Sequence, residues 1–286
     1  MKILITGAQG QVTLALQARL AGLGEVHALG RQQLNLADPQ AIRTQVRELA
    51  PALIINPAAY TAVDQAESEA PLAQAINAIA PGVLAEEAAR LGAPLIHYST
   101  DYVFDGAKAE PYVESDATGP LGVYGASKLA GEQAIAAVGG EHLILRTSWV
   151  YSLTGRNFLL TMQRLLQERE ELRVVADQFG APTWAGTIAE STTALIERWQ
   201  AGQAGAWGTY HLTASGSTSW FGFAEAIGEQ LKAAGKPCAR LLPIDTAQYP
   251  TPAKRPANSR LDCTLLQQQW GVSQPEWHSA LLHCLA

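Results

Sequence analysis

A phenol and an ammonium stand four residues apart in Tyr124-Gly-Ala-Ser-Lys128, a spacing that puts both on one face of a helix. A free tyrosine, with a pKa of about 10, is a poor acid–base catalyst at neutral pH. A nearby ammonium stabilises its phenolate and draws that pKa towards the working range, so the pair reads as proton-transfer machinery, with Lys128 also able to hold a ribose. Upstream, Ser99-Thr100-Asp101 closes an apolar run and lays hydroxyls at a strand end, where Thr100 could hydrogen-bond and polarise a carbonyl. The Tyr/Lys spacing alone is weak, since chance supplies it in roughly every second chain of this length. Its context strengthens it.

That context begins with Gly7-Ala8-Gln9-Gly10-Gln11-Val12-Thr13, directly after an apolar run at residues 2–6. Glycines there let a turn tighten and let backbone approach a pyrophosphate lying at a helix N-terminus. The spacing is Gly-x-x-Gly, and Thr13 stands where a third glycine often permits close helix packing. After the second apolar run, Gly30-Arg31 offers no carboxylate to grip a ribose 2′-hydroxyl, whereas a guanidinium suits a 2′-phosphate. NADPH is favoured, with NADH as the alternative, and Arg31 also reads as a solvated surface arginine.

The elements needed to position these groups follow from the hydrophobic pattern. Short apolar runs at 2–6, 25–29, 52–56, 94–98 and 142–146 read as strands, separated by helices near 11–21, 39–50, 71–91 and 124–138. This alternation predicts an α/β fold: a Rossmann-like, doubly wound parallel sheet over residues 1–150. Beyond Trp149 the spacing loosens into helices near 158–170 and 188–200, a strand around Tyr210, another helix and the Pro-rich stretch 243–256. Residues 151–286 therefore read mainly as a smaller C-terminal α/β substrate-binding cap, with some segments returning to the sheet.

Bulk properties remove other function classes. The 286 residues carry 20 Lys and Arg against 26 Asp and Glu, a net charge of −6, with no basic stripe to track nucleic acid. The longest uncharged run, 199–224, holds five glycines and is too polar to cross a membrane. No secretory leader is apparent, so a cytoplasmic location is expected. Cys238, Cys263 and Cys284 match neither a disulfide framework nor a zinc pattern, and the six histidines form no ligand cluster.

With the glycine loop, Thr100 and the Tyr124/Lys128 pair in hand, the chain resembles the extended short-chain dehydrogenase/reductases. More narrowly, it resembles the dTDP-4-dehydrorhamnose reductase family nearly end to end. The resemblance rests on Asn56-Pro-Ala-Ala-Tyr-Thr-Ala-Val-Asp64, His97-Tyr-Ser-Thr-Asp-Tyr-Val-Phe-Asp105, Arg146-Thr-Ser-Trp-Val-Tyr151, Asp177-Gln-Phe-Gly-Ala-Pro-Thr183 and Arg255-Pro-Ala-Asn-Ser-Arg-Leu261. It implies reduction of the 4-keto group of dTDP-4-dehydro-6-deoxy-L-mannose to dTDP-L-rhamnose by NAD(P)H, for bacterial surface polysaccharide, with Tyr124 as proton donor. It further implies that Gly7, Gly10, Gln11 and Val12 meet the pyrophosphate and that Arg31, Asn35 and Leu36 surround the adenosine end. Ala59, Tyr60, Thr61 and Tyr98 would line the coenzyme channel beside Tyr124 and Lys128. Thr100 and Asp101 would touch the sugar, Trp149 would close over it, and Arg255, Asn258 and Arg260 would meet the nucleotide diphosphate. Trp149 also reads as a core aromatic, and the last three as a salt-bridged loop.

Some members of that family form a dimer bridged by magnesium on glutamates. Here those positions are Ala15 and Gly186, which offer a hard cation no oxygen, so no metal site is expected. The assembly is then a monomer or a homodimer without a metal bridge. Competing readings are another keto-sugar-nucleotide reductase, an epimerase, or a non-catalytic subunit like the regulatory subunit of methionine adenosyltransferase. A dehydratase would carry an Asp-Glu pair after the threonine, where this chain has Asp101-Tyr102.

Overall fold

The computed structural model describes residues 1–286. Six parallel strands form one sheet, in spatial order Gly208–His211, His142–Thr147, Leu95–Thr100, Leu53–Asn56, Lys2–Thr6 and Glu25–Leu29. The four central strands are almost wholly buried, which is why they read as continuous apolar runs rather than alternating ones. The α/β, Rossmann-like expectation is met, with strand ends within two residues of those expected from pattern.

Helices cover both faces. Gln11–Leu20 and Ala185–Gln200 bury Leu16, Leu20, Ile188 and Leu195 on one face. On the other, Pro39–Leu49 and Ala80–Leu91 bury Ile42, Val46 and Leu84, and Val123–Val138 buries Ile135. The sequence beyond Trp149 thus divides: Ala185–Gln200 and Gly208–His211 complete the sheet layer, and Thr264–Trp270 adds Leu266 and Trp270 to its core. The remainder builds a separate core from Tyr151, Leu159, Leu166, Phe223, Ile227 and Leu281. A two-stranded parallel ladder, Glu171–Val175 with Arg240–Ile244, crosses that unit. Pro243 hid the second strand in the sequence, and an outer strand tolerates it because the missing N–H faces no ladder partner.

The helix expected at 71–91 is interrupted. Ala70–Gln74 and Ala80–Leu91 flank a π-turn at Ala75–Ile79. Pro81 lacks the N–H that would bond the Asn77 carbonyl one turn back, so the helix widens there. The helix Val123–Val138 closes onto that carbonyl, and a Cβ on Gly131 would lie 2.1 Å from it. The Asn77 side chain, buried in the same turn, accepts from Tyr60 N at 2.8 Å and donates to Tyr60 O and to Ser127 Oγ. One residue thereby ties the loop after the third strand to the helix carrying Tyr124 and Lys128.

Candidate active site

From the first strand the chain steps outward to Glu25–Leu29, then crosses back to Leu53–Asn56 and proceeds the other way, so the loops after Lys2–Thr6 and Leu53–Asn56 diverge. A cleft of about 1150 Å³ opens between them. Gly7 turns there with φ +71°, and a Cβ on it would lie 2.9 Å from the Ala58 Cβ, so the crossing requires glycine. Gly10 precedes the helix Gln11–Leu20 without any side-chain cap, leaving the first-turn amides free for an anion. Thr13 takes the third-glycine position because its hydroxyl donates to Thr6 O at 3.0 Å, stitching helix to strand.

Gly7, Gly10, Gln11, Val12, Arg31, Asn35, Ala59, Thr61, Tyr98, Tyr124 and Lys128 all line this one cleft. Two of the expected coenzyme contacts do not. Leu36 is turned into the core with Ile42 and Val46, where an aliphatic side chain gains more than it would at a wet rim. Tyr60 points its hydroxyl at Glu69, donating to Oε2 at 2.9 Å, and contributes backbone to the loop instead.

Burial dominates the electrostatics of the Tyr/Lys pair. It pushes Tyr124 up to about 12, opposed by the Thr100 hydroxyl and reinforced by the Asp101 charge. It pulls Lys128 down to about 8, opposed by Glu132. The expected depression of Tyr124 by Lys128 is absent from this geometry, because the amine turns to the sheet: it donates to Tyr98 O at 2.6 Å and lies 3.1 Å from His97 Nε2.

The expected sugar and diphosphate contacts lie outside the cleft. Thr100 and Asp101 are buried at the strand end, with Thr100 Oγ1 donating to Asp101 Oδ1 at 3.0 Å, and desolvation pushes Asp101 up to about 6. Trp149 adopts φ +48° and stacks on Trp220 with centroids 3.6 Å apart. A Cβ on Gly180 would come 2.6 Å from that indole. Arg255 pairs with Asp64 at 2.8 Å and lies over the Tyr102 ring. Asn258 and Arg260 hold a loop in this structure. The Asn258 amide donates to the carbonyls of Lys108 and Glu110 and its oxygen accepts from Arg260 N and Nε, while Arg260 also donates to Ala109 O. No polar atom of the Asn258 side chain is left for a ligand.

Sequence reasoning passed over several cleft residues. Ser99 and Thr147 line the wall with buried hydroxyls that have no partner in the protein. Arg156 also lines it, carried by a loop latched to the glycine loop: Ser152 Oγ and Asn157 Nδ2 both donate to Gln11 Oε1, at 2.9 and 2.8 Å. Ser99 was visible as the hydroxyl beside Thr100, but nothing local marks Arg156, which lies 145 positions from Gln11. Glycine cradle, free helix amides, unpartnered hydroxyls and two guanidiniums together suit a phosphorylated dinucleotide.

Comparison with known proteins agrees over the whole length. The profile described as "RmlD substrate binding domain" matches residues 1–286. A dTDP-4-dehydrorhamnose reductase of Burkholderia thailandensis is 49% identical, the match covering 100% of this chain and 98% of that protein. The chain belongs to the dTDP-4-dehydrorhamnose reductase family. Among solved members, that of Clostridium acetobutylicum superposes with a TM-score of 0.92 at 38% identity, covering 100% of this chain and 98% of the other. That of Bacillus anthracis, in complex with NADP, gives 0.90 at 37% identity, covering 99% and 98%. At the two positions where a family metal site would need carboxylates, Ala15 packs against the sheet core and Gly186 lies under the Trp184 ring. No three His, Cys, Asp or Glu side chains converge on a common point, and no helix is long and apolar enough to cross a membrane.

Proposed function

We propose that this protein reduces the 4-keto group of dTDP-4-dehydro-6-deoxy-L-mannose to dTDP-L-rhamnose with NADPH, Tyr124 supplying the proton. The observation that carries this reading is that Tyr124 and Lys128 share one cleft with the glycine loop and Arg31, in a chain belonging to the reductase family. When bound, the coenzyme supplies a hydride. The protein's own residues do the rest.

Gly7, Gly10 and the first-turn amides of Gln11 and Val12 take the diphosphate, Arg31 and Asn35 the phosphorylated ribose end, and Ala59, Thr61 and Tyr98 the channel wall. Tyr124, held protonated by burial, is an acid whose proton moves downhill to the more basic alkoxide forming on the sugar. Thr100, beside the phenol, orients the ketone, and Asp101, Trp149 and Arg255 form the sugar side. Residues 1–150 with the returning segments carry the coenzyme, and the rest of 151–286 the substrate. The reading includes no metal, a monomer or a homodimer without a metal bridge, and a cytoplasmic location.

The test is loss of NADPH absorbance by the purified protein. It should require dTDP-4-dehydro-L-rhamnose, and Tyr124→Phe should lose on the order of 100- to 10,000-fold in turnover while still binding coenzyme. Undiminished turnover by that variant would refute the proton-donor role. Tightly copurifying NAD would favour an epimerase, and coenzyme binding without turnover a regulatory subunit.

A further inference from the structure

Lys128 sits at the end of a buried hydrogen-bond chain that runs across three adjacent strands, from the last residues of Lys2–Thr6 and Leu53–Asn56 to the middle of Leu95–Thr100. Thr6 Oγ1 lies 2.6 Å from Asn56 Oδ1, Asn56 Nδ2 lies 2.9 Å from His97 Nδ1, and His97 Nε2 lies 3.1 Å from Lys128 Nζ. Strand register places the three donors and acceptors side by side, with Asn56 opposite His97 and Ile55 opposite Ile5, the residue before Thr6. None of the four residues is more than 2% exposed, so water does not compete for these bonds.

Counting hydrogens limits what the chain can be. With the Thr6 hydroxyl donating to the Asn56 carbonyl and the Asn56 amide donating to Nδ1, a neutral imidazole carries its one hydrogen on Nε2. Lys128 must then accept, as an uncharged amine. A carboxamide presents oxygen and nitrogen in nearly the same shape, so turning Asn56 over reverses every bond. Nδ1–H then donates to the Asn56 oxygen, and Nε2 accepts from the Lys128 ammonium. An imidazolium donating to the turned Asn56 oxygen and to an uncharged Lys128 would satisfy the same bonds, but burial together with the Lys128 charge holds the imidazole well below its usual range, which keeps the ring neutral.

We infer that His97 is the positioning residue for Lys128, its neutral ring changing tautomer with the amine's charge so that Lys128 keeps its hydrogen bond whether or not it carries a proton. This rests on the reading of Lys128 as part of the reductase site. Lys128 gains or loses the net proton through the cleft, which the residue lines, while transient local opening lets water take the ring's hydrogen from one nitrogen and return it to the other, so His97 never holds two. Other groups facing Lys128 are the Tyr98 carbonyl from the strand, and Tyr124 and Glu132 from its own helix. Glu132 is ion-paired with Arg146, at 2.6 Å, from the strand behind. An amine held this way offers its remaining hydrogen to the cleft in one direction in both charge states.

Protein labelled with ¹⁵N-histidine, titrated from about pH 6 to about pH 10, reads the tautomer directly, with His97 identified by the resonance lost in His97→Gln. The expected result is Nδ1–H on the acid side and Nε2–H on the alkaline side, with the change centred near the Lys128 value of about 8. In Lys128→Met the dependence should vanish. A ring that takes up a second proton in this range, one tautomer throughout, or unchanged switching in Lys128→Met would overturn the inference. In turnover, His97→Phe should lose roughly ten- to hundredfold in kcat with a displaced alkaline limb and little change in KM. His97→Gln, which can donate or accept, should recover most of it. Equal loss in both variants at every pH, with native circular dichroism, counts against the role. If the wild-type protein binds no NADPH in a fluorescence titration, the reductase reading fails, and the tautomer titration still decides this one.

Discussion

Arg31 shows how one side chain can set coenzyme choice. It lies exposed beyond the second strand and lines the cleft where a carboxylate would select NADH. A guanidinium–phosphate contact contributes on the order of 1.5–3 kcal/mol, so Arg31→Ala should weaken NADPH binding by roughly 10- to 100-fold and leave NADH nearly unchanged. Tryptophan fluorescence titration with both coenzymes checks this, and equal weakening would mean that Arg31 holds a part the two share. At this scale the residue types in Tyr124 and Lys128 were legible, but their electrostatics were not. Spacing along a helix says that two groups can meet, whereas burial and the His97 bond decide what Lys128 meets.

Among the elements, the packing of the helix Val123–Val138 depends on what its partner lacks. Pro81 frees the Asn77 carbonyl, and Gly131 lets the catalytic helix approach it. Gly131→Ala would press a Cβ to 2.1 Å from backbone that cannot swing aside. The expected cost is about 2–4 kcal/mol in denaturant unfolding, with weaker coenzyme binding as the Asn77 ties to Tyr60 and Ser127 loosen. A loss within about 0.5 kcal/mol would show that the helices have room to part. Helical periodicity predicted this segment as one continuous helix because the apolar stripe runs through it. The π-turn follows from one missing N–H, which alters a hydrogen bond without altering the stripe.

Across the whole molecule, acid stability and ligand linkage should report the same packed layers. Glu87, buried beneath Arg43, Arg47 and Arg90, is held down at about 2, chiefly by Arg47, against an ordinary value of 4.5. A depressed carboxylate stabilises fully above its unfolded pKa and loses that contribution as pH falls from about 4.5 through about 2. The arginines are partly solvated, so Glu87→Gln should flatten the stability–pH curve in that window by only about 1–2 kcal/mol. An unchanged acid limb would assign it to other carboxylates. NADPH at about 100 times its dissociation constant should stabilise the protein by about 2.7 kcal/mol, seen as a melting shift of a few degrees. No shift would mean that the cleft does not take the coenzyme.

Local physics settled much of this protein in advance. Apolar runs, the glycine loop and the Tyr/Lys spacing act over a few residues, so strand order along the chain, the doubly wound class and the glycine-loop and Tyr/Lys walls of the cleft could be read from the string. Tertiary structure decided which distant groups became neighbours. Glu171–Val175 pairs with Arg240–Ile244, Leu36 turns into the core, Asn258 spends its amide on the loop at Lys108 and Glu110, and Lys128 bonds His97. Those outcomes depend on desolvation and on partners far away in sequence. Neither leaves a periodic trace among adjacent residues.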